Sequence, residues 1–181
     1  MKGKFEKNDL GIRMTRAEGF RGFPPMFHSH MEILYVLRGE VKINIDEVRH
    51  TLTKGQMSLA FPYAVHSYQK APEAEVLVLL FSPSAVASFE KELSSVRPVT
   101  PYVENAQSFL PLLEKILALY GEEGTSSKTA EAYLNALLGE ILLSIPLTDA
   151  DNTDLSTTQK ILVYCSEHYK ENITIGKVAH H

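Results

Sequence analysis

A change of rhythm at Ser82-Pro83 constrains this chain more than any other feature. Before it, short apolar stretches are cut by turn signals. Residues Glu32 to Leu37 are β-branched, apolar and aromatic, and Arg38-Gly39-Glu40 marks a turn. Val41, Ile43 and Ile45 alternate with Lys42, Asn44 and Asp46, a period of two with one wet face. Asp46-Glu47 turns the chain again, His50 to Thr53 is a brief strand, and Lys54-Gly55 is a third turn. Met57 to Phe61 and Val76 to Phe81 are further apolar strands. Short strands with a turn every ~8–12 residues predict an all-β sandwich or barrel.

After Ser82 the spacing becomes helical. Ser82 reads as an N-cap with Pro83 at the first helical position. Val86, Phe89, Glu90 and Leu93 then follow a helical period to about Ser94, and Pro98 and Pro101 break it. From Val103 to Tyr120 the repeat is Leu110, Leu113, Leu117 and Tyr120, closed by Gly121 and Gly124. Ser126 or Ser127 caps a second helix striped by Leu134, Leu138, Ile141 and Ile145. Two striped helices on a short loop predict an antiparallel hairpin. Pro146 and the polar run from Thr148 to Asp154 read as a linker. Ser156-x-x-Gln159 is a capping box for a last segment with Ile161, Leu162, Cys165 and Tyr169 on its apolar side, ending at Glu171-Asn172. Thr174 can cap one more helix from Ile175. So short a helix does not stand alone, so the natural protein is expected to continue past His181.

Composition narrows the function classes. Hydrophobic residues make up 44% and charged residues 22%, as in a folded domain. No apolar run approaches the ~20 residues that span a bilayer, and no apolar stretch follows the basic N-terminus, so neither a membrane protein nor a secretory signal is expected. The one cysteine, Cys165, excludes an intramolecular disulfide framework, suits a reducing cytoplasm, and reads as an inert packed thiol. Net charge is −4. Residues 1–82 carry 11 Lys+Arg and 9 Asp+Glu, and residues 83–181 carry 7 and 13, so the helical part is the acidic one. A lone nucleic-acid-binding domain is usually basic. The chain is therefore not expected to grip DNA itself.

Chemistry concentrates in His28, His30, Glu32 and His66. In an extended strand, positions 28, 30 and 32 share a face. Three imidazoles and a carboxylate suit Zn, Ni or Fe. The alternative is a metal-free pocket in which these groups hydrogen-bond one another or a ligand. A barrel of this size can enclose one small ligand. Tyr35, Phe61, Tyr63 and Tyr68 are candidate stacking surfaces at its mouth if they point inward, and core residues if they do not. Arg13, Arg38 and Lys42 could meet an anionic effector or lie exposed, and His50 reads as a core or rim residue. The stripe Leu110, Leu113, Leu117, Tyr120, Leu134, Leu138, Ile141 and Ile145 either covers the barrel or forms a coiled-coil-like dimer seam.

Two segments carry a family resemblance. Phe23-Pro-Pro-Met-Phe-His-Ser-His-Met-Glu-Ile-Leu-Tyr-Val-Leu-Arg-Gly39 resembles the first cupin motif. Gly55-Gln-Met-Ser-Leu-Ala-Phe-Pro-Tyr-Ala-Val-His66 resembles the second, in the shortened form of AraC-like sensor domains. Residues Thr157 to Ala179 are similar to the opening of an AraC-type DNA-binding domain, where one helix precedes the first helix-turn-helix. By this resemblance the chain is identified as a member of the AraC/XylS regulators. It implies a mainly β plus α fold: a cupin-type double-stranded β-helix, or jelly-roll barrel, over residues 1–82, and a dimerising antiparallel helical hairpin over 83–147. A linker at 148–156 and the incomplete start of a helix-turn-helix domain at 157–181 follow.

The implied function is sensing and dimerisation in a cytoplasmic DNA-binding transcription regulator, not an enzyme. Its partners would be a small-molecule effector, commonly a sugar, a second copy as homodimer, and DNA through the full-length protein only. Cupins that hold a metal use two histidines on one strand, a Glu four residues past the second, and a histidine from the second motif. The Glu32-to-Gly39 spacing fits. Counting back from Glu32 places the family histidines at Met26 and His28, so Met26 departs from the pattern, and a thioether is a poor ligand for the metals such sites favour. The other register uses His28 and His30 with Glu32. No cofactor is assigned. The competing classes are a metal cupin enzyme, a dioxygenase or isomerase, and a stand-alone ligand-binding cupin. Met26 and the DNA-domain likeness weigh against the enzyme.

Overall fold

The computed structural model describes residues 4–5, 11–120, 128–150, 160–161, 164–165, 168, 171 and 173–179. The caps at Gly121, Gly124, Ser126 and Ser127, the Ser156–Gln159 box, Leu162, Tyr169, Asn172 and the run from Asp151 to Asp154 lie outside them.

Twelve strands are described. β1 is Lys4–Phe5, β2 Ile12–Phe20, β3 Phe23–Phe27, β4 Met31–Arg38, β5 Glu40–Ile45 and β6 Val48–Thr53. β7 is Met57–Ala60, β8 His66–Tyr68, β9 Ala71–Phe81, β10 Val96–Pro98, β11 Tyr102–Val103 and β12 Leu147–Asp149. Ten of them form two five-stranded sheets, β1-β3-β8-β5-β6 and β11-β7-β4-β9-β2, with all pairings antiparallel except β1 with β3. Two such sheets face to face are a jelly-roll barrel.

The β5–β6 hairpin follows its sequence pattern. Val41, Ile43 and Ile45 face inward and Lys42 outward, and Ile45 pairs with Val48 across a two-residue turn. That turn needs positive φ at both central residues, and Asp46 and Glu47 adopt 44° and 71°. β4 behaves differently: its first six residues are all buried. Its sheet is covered on both sides. Leu34 and Val36 meet Val41, Ile43, Ile45 and Leu52 between the sheets. Met31, Ile33 and Tyr35 meet the helices on the other side.

The helices form a layer on that outer face. A 3₁₀ segment at Pro83–Phe89, kinked at Val86, leads into α1, Glu90–Ser95. Pro83 does take the first helical position, but the Ser82 hydroxyl bonds Ser84 Oγ and not a backbone N–H. α2 is Leu110–Tyr120 and α3 is Lys128–Ser144. Leu113, Ile116, Leu134, Leu138 and Ile141 share one core with Leu59, Leu77 and Phe81 of the barrel. A short helix, α4, spans Ile175–Ala179, and the Thr174 hydroxyl accepts from the Lys177 N–H as its cap.

Two expectations are corrected. The helix predicted from Val103 starts later, because Tyr102 and Val103 form an edge strand on β7. The Tyr102 hydroxyl donates to the Val48 carbonyl (2.6 Å) and its ring stacks on His50. The start of the predicted linker is strand β12, which pairs with β10 from Val96 to Pro98. Its backbone groups find edge partners there, as buried or half-buried backbone requires.

Gly22, at the β2–β3 turn, sits at φ +72°, and a Cβ there would lie 2.7 Å from backbone atoms of Tyr68, Gln69 and Lys70. Gly22→Ala adds left-handed strain to a backbone clash and is expected to cost about 2–4 kcal/mol. Urea denaturation checks this; a loss under about 0.5 kcal/mol would contradict the close approach.

Candidate functional site

The polar cluster forms where β3, β4 and β8 meet. Glu32 projects from β4 between Met31 and Ile33, whose side chains take the opposite face, so the carboxylate points between the sheets. His66 opens β8, and His28 follows β3 directly. All three are buried. One nitrogen from each histidine and one Glu32 oxygen lie within 4.8 Å of one another.

Backbone carbonyls orient both rings. His28 Nδ1 is 3.1 Å from the His30 carbonyl oxygen, and His66 Nδ1 is 2.9 Å from that of Ala64. A carbonyl only accepts, so each Nδ1 carries the hydrogen. Each Nε2 is thereby turned toward Glu32. His28 Nε2 is 3.3 Å from Glu32 Oε2. His66 Nε2 has no hydrogen-bond partner, and Glu32 Oε2 is 3.7 Å away. The Tyr68 hydroxyl donates to the other carboxylate oxygen, Oε1, at 2.5 Å. Two imidazole nitrogens and a carboxylate oxygen thus converge with their outer hydrogens already committed. Such a centre takes a proton or a cation.

Electrostatics agree. Burial opposes the Glu32 carboxylate, but the imidazoles of His28 and His66 and the Tyr68 hydroxyl outweigh it and hold its pKa well below the usual range. Burial opposes a charged His66, but Glu32, the Ala64 carbonyl and Asp46 outweigh it and raise the pKa. Burial and the Glu32 charge push the Tyr68 phenol well above its ordinary value.

Two imidazole nitrogens and a carboxylate oxygen are ligands that suit a metal ion, and His28, Glu32 and His66 are the residues that would hold one. The tautomers are fixed by carbonyls, as in protein metal sites, and His66 Nε2 is a buried donor with no other use. His30 is not in the set. Residues 29 and 30 form a bend between β3 and β4, so the extended geometry that would align 28, 30 and 32 is absent. His30 is buried with its ring 5.9 Å from that of His28, and its carbonyl orients His28. The spacing of four between His28 and Glu32 is the one the structure uses.

The aromatic candidates divide by strand parity. Tyr68 lies in the inner core, edge-on to Phe20, Phe23 and His66. Tyr35, three residues from Glu32, points to the helical layer, where burial and the Glu114 charge raise its pKa. Phe61 packs in that same layer beneath Arg97. Tyr35 and Phe61 therefore do not line the barrel interior. Tyr63 is half-buried in the β7–β8 turn at φ +66°, its N–H donating to the His28 carbonyl. Arg13, Arg38 and Lys42 are exposed and outward. Ser58, missed by the sequence reading, is fully buried on β7 and faces Tyr68. Its parity, between Met57 and Leu59 of the outer layer, is the signal that could have found it. An open polar groove of about 720 Å³ lies on the solvent side of β5, β6 and β8, in the sheet away from the helices, lined by Lys42, Asn44, Arg49, Thr51, Ser67 and Gln69.

The eight striped residues sit on α2, α3 and just past α3. Leu113, Tyr120, Leu134, Leu138 and Ile141 are buried in the chain's own core, and Leu110, Leu117 and Ile145 are half-buried against it. Leu119 and Leu143 are exposed.

Fold and site together define a jelly-roll barrel with a buried polar centre, capped on one sheet by a helical hairpin: a ligand-binding barrel. The AraC-like ligand-binding domain family matches residues 16–142, and the chain belongs to it. It is the effector-sensing domain of an AraC-type regulator. Among solved structures, it is similar to ToxT from Vibrio cholerae. An apo single-substitution variant of ToxT gives TM-score 0.56 at 15% identity, covering 96% of this chain and 70% of that one. ToxT bound to an unsaturated fatty acid gives 0.60 at 14%, covering 96% and 69%. At these identities the likeness is one of fold. No curated protein sequence matches the chain. Among the described residues, no helix is long and apolar enough to cross a membrane.

Proposed function

We propose that this chain senses a small effector inside the barrel through His28, Glu32, His66 and Tyr68. The carrying observation is the convergence of both Nε2 atoms on the Glu32 carboxylate in a buried, largely apolar interior. The single core running from β4 through β7 and β9 into α2 and α3 gives the signal a path. Glu32 and its neighbours Met31 and Ile33 link the two faces of the same strand, so a shift at the cluster is felt by the hairpin. An effector biases two arrangements only by its differential affinity for them.

The remaining roles follow from this reading. The natural protein acts on DNA through a helix-turn-helix region and as a homodimer, because paired half-sites call for two-fold symmetry. The exposed hairpin residues Leu119 and Leu143 are the better seam candidates. We read the chain as a sensor and not a catalyst because its family is a ligand-binding domain. Thermal melting against a panel of metal ions, sugars and carboxylic acids tests the proposal. A true effector at 100 times its Kd adds about 2.7 kcal/mol of stability, and His66→Ala abolishes the shift. A shift that survives both His66→Ala and Glu32→Gln would overturn it.

A further inference from the structure

We propose that the solvent face of β5, β6 and β8 is a second binding site, and that it takes a phosphate monoester with a hydroxyl-bearing body. The site is distinct from the sensing cluster. β8 turns His66 and Tyr68 inward and Ser67 and Gln69 outward, so groove and cluster lie on opposite faces of one strand.

Strand register builds the site. Across the β5–β6 hairpin Lys42 is paired with Thr51 and Asn44 with Arg49, and Asn44 is paired with Ser67 on β8. The Gln69 N–H donates to the Lys42 carbonyl. Two polar rungs result, Gln69-Lys42-Thr51 and Ser67-Asn44-Arg49. Lys42 and Arg49 are diagonal neighbours on the hairpin, within about 7–8 Å at the backbone. Both are exposed, and their long side chains reach a common point between them.

The charges select an anion. Arg16 and Arg38, on the other sheet, both pair with Glu75. Among the described residues, no carboxylate lies within ion-pair distance of Lys42 or Arg49, and none lines the groove. A phosphate monoester carries nearly two negative charges at neutral pH and three acceptor oxygens. A lysine, a guanidinium fork and adjacent hydroxyls match that group, whereas a carboxylate is satisfied by the fork alone. The remaining amides and hydroxyls suit the hydroxyls of the ester's body. The groove's one ring, that of His50, is already stacked on Tyr102.

Size and surroundings favour a small ligand. The groove holds about 720 Å³, inside the range of small-molecule sites. The cationic surface is short. Exposed Glu40 lies two residues from Lys42 on β5, and the exposed Asp46-Glu47 turn lies beyond Asn44 and Arg49. A nucleic-acid strand laid along the sheet would run onto these carboxylates, and a small ester does not.

Titration of the isotope-labelled whole chain with glucose 6-phosphate, followed by amide shifts and calorimetry, tests the proposal. The expected result is one saturable site per chain, with shifts centred on residues 42–51 and 67–69. Inorganic phosphate binds there more weakly, and glucose does not bind there. Lys42→Met and Arg49→Met, whose melting temperatures should match the parent's, each weaken the ester about tenfold. Four results would overturn the proposal: ester binding that survives the Lys42→Met, Arg49→Met double variant; no saturation by either glucose 6-phosphate or glycerol 3-phosphate; inorganic phosphate bound as tightly as both esters; or a DNA duplex bound more tightly than they are through the same two residues. Shifts confined to residues 26–34 would also overturn it, placing the ester at the sensing cluster instead.

Discussion

Truncating Glu32 to alanine is expected to remove about 3–5 kcal/mol of stability from the metal-free chain. The carboxylate accepts from Tyr68, faces two imidazoles and is buried, so its loss strands three polar groups in an apolar interior. Glu32→Gln keeps an acceptor for the Tyr68 hydroxyl and should cost less. Tyr68→Phe alone should cost about 1.5–3 kcal/mol, the range for a hydrogen bond to a charged group. The double variant should fall well short of the sum, because each change removes the same bond. Urea denaturation of the parent and the four variants measures this. A Glu32→Ala loss under about 1 kcal/mol would mean that water already reaches the carboxylate, and the description of a closed cluster would be wrong.

The second large effect separates the two uses of the leucine stripe. Leu138 is fully buried on α3 within the core shared with the barrel. Leu138→Ala should therefore cost about 2–5 kcal/mol, the range for a large-to-small change with a residual cavity. Leu143 is 90% exposed on the same helix. Leu143→Glu should change stability by less than about 0.5 kcal/mol, while weakening self-association if this face is the seam. Denaturation and sedimentation on both variants read the two effects apart. A Leu138→Ala chain that keeps its stability but becomes monomeric would return the buried stripe to the dimer interface.

The sequence rhythm revealed the barrel wherever one face of a strand is wet. β5 and β6 alternate and their turn shows in Asp46-Glu47, so they were legible. β4 and β7 were legible as strands but not in orientation. With both faces buried they carry no polar alternation, and Tyr35 and Phe61 could be assigned to the wrong side. Parity alone corrects Tyr35, since positions 32 and 35 cannot share a strand face. His30 was misjudged for a different reason: the bend at 29–30 depends on how β3 hands over to β4, which no local pattern records. The strands β10 and β12 were hidden because three residues of mixed character beside a proline look like loop until a partner far along the chain is known. Of the site, His28, Glu32, His66 and Tyr68 were found by residue type, and Ser58 was lost among its apolar neighbours.

Hydrogen exchange in the presence of a saturating effector tests the central claim most directly. If capture at the buried cluster is transmitted through the common core, amides of residues 26–34 and 66–68 gain protection, and those of α2 and α3 change with them. Protection confined to β5 and β6, around the outer groove lined by Lys42 and Arg49, with residues 26–34 and the hairpin unaltered, would contradict it.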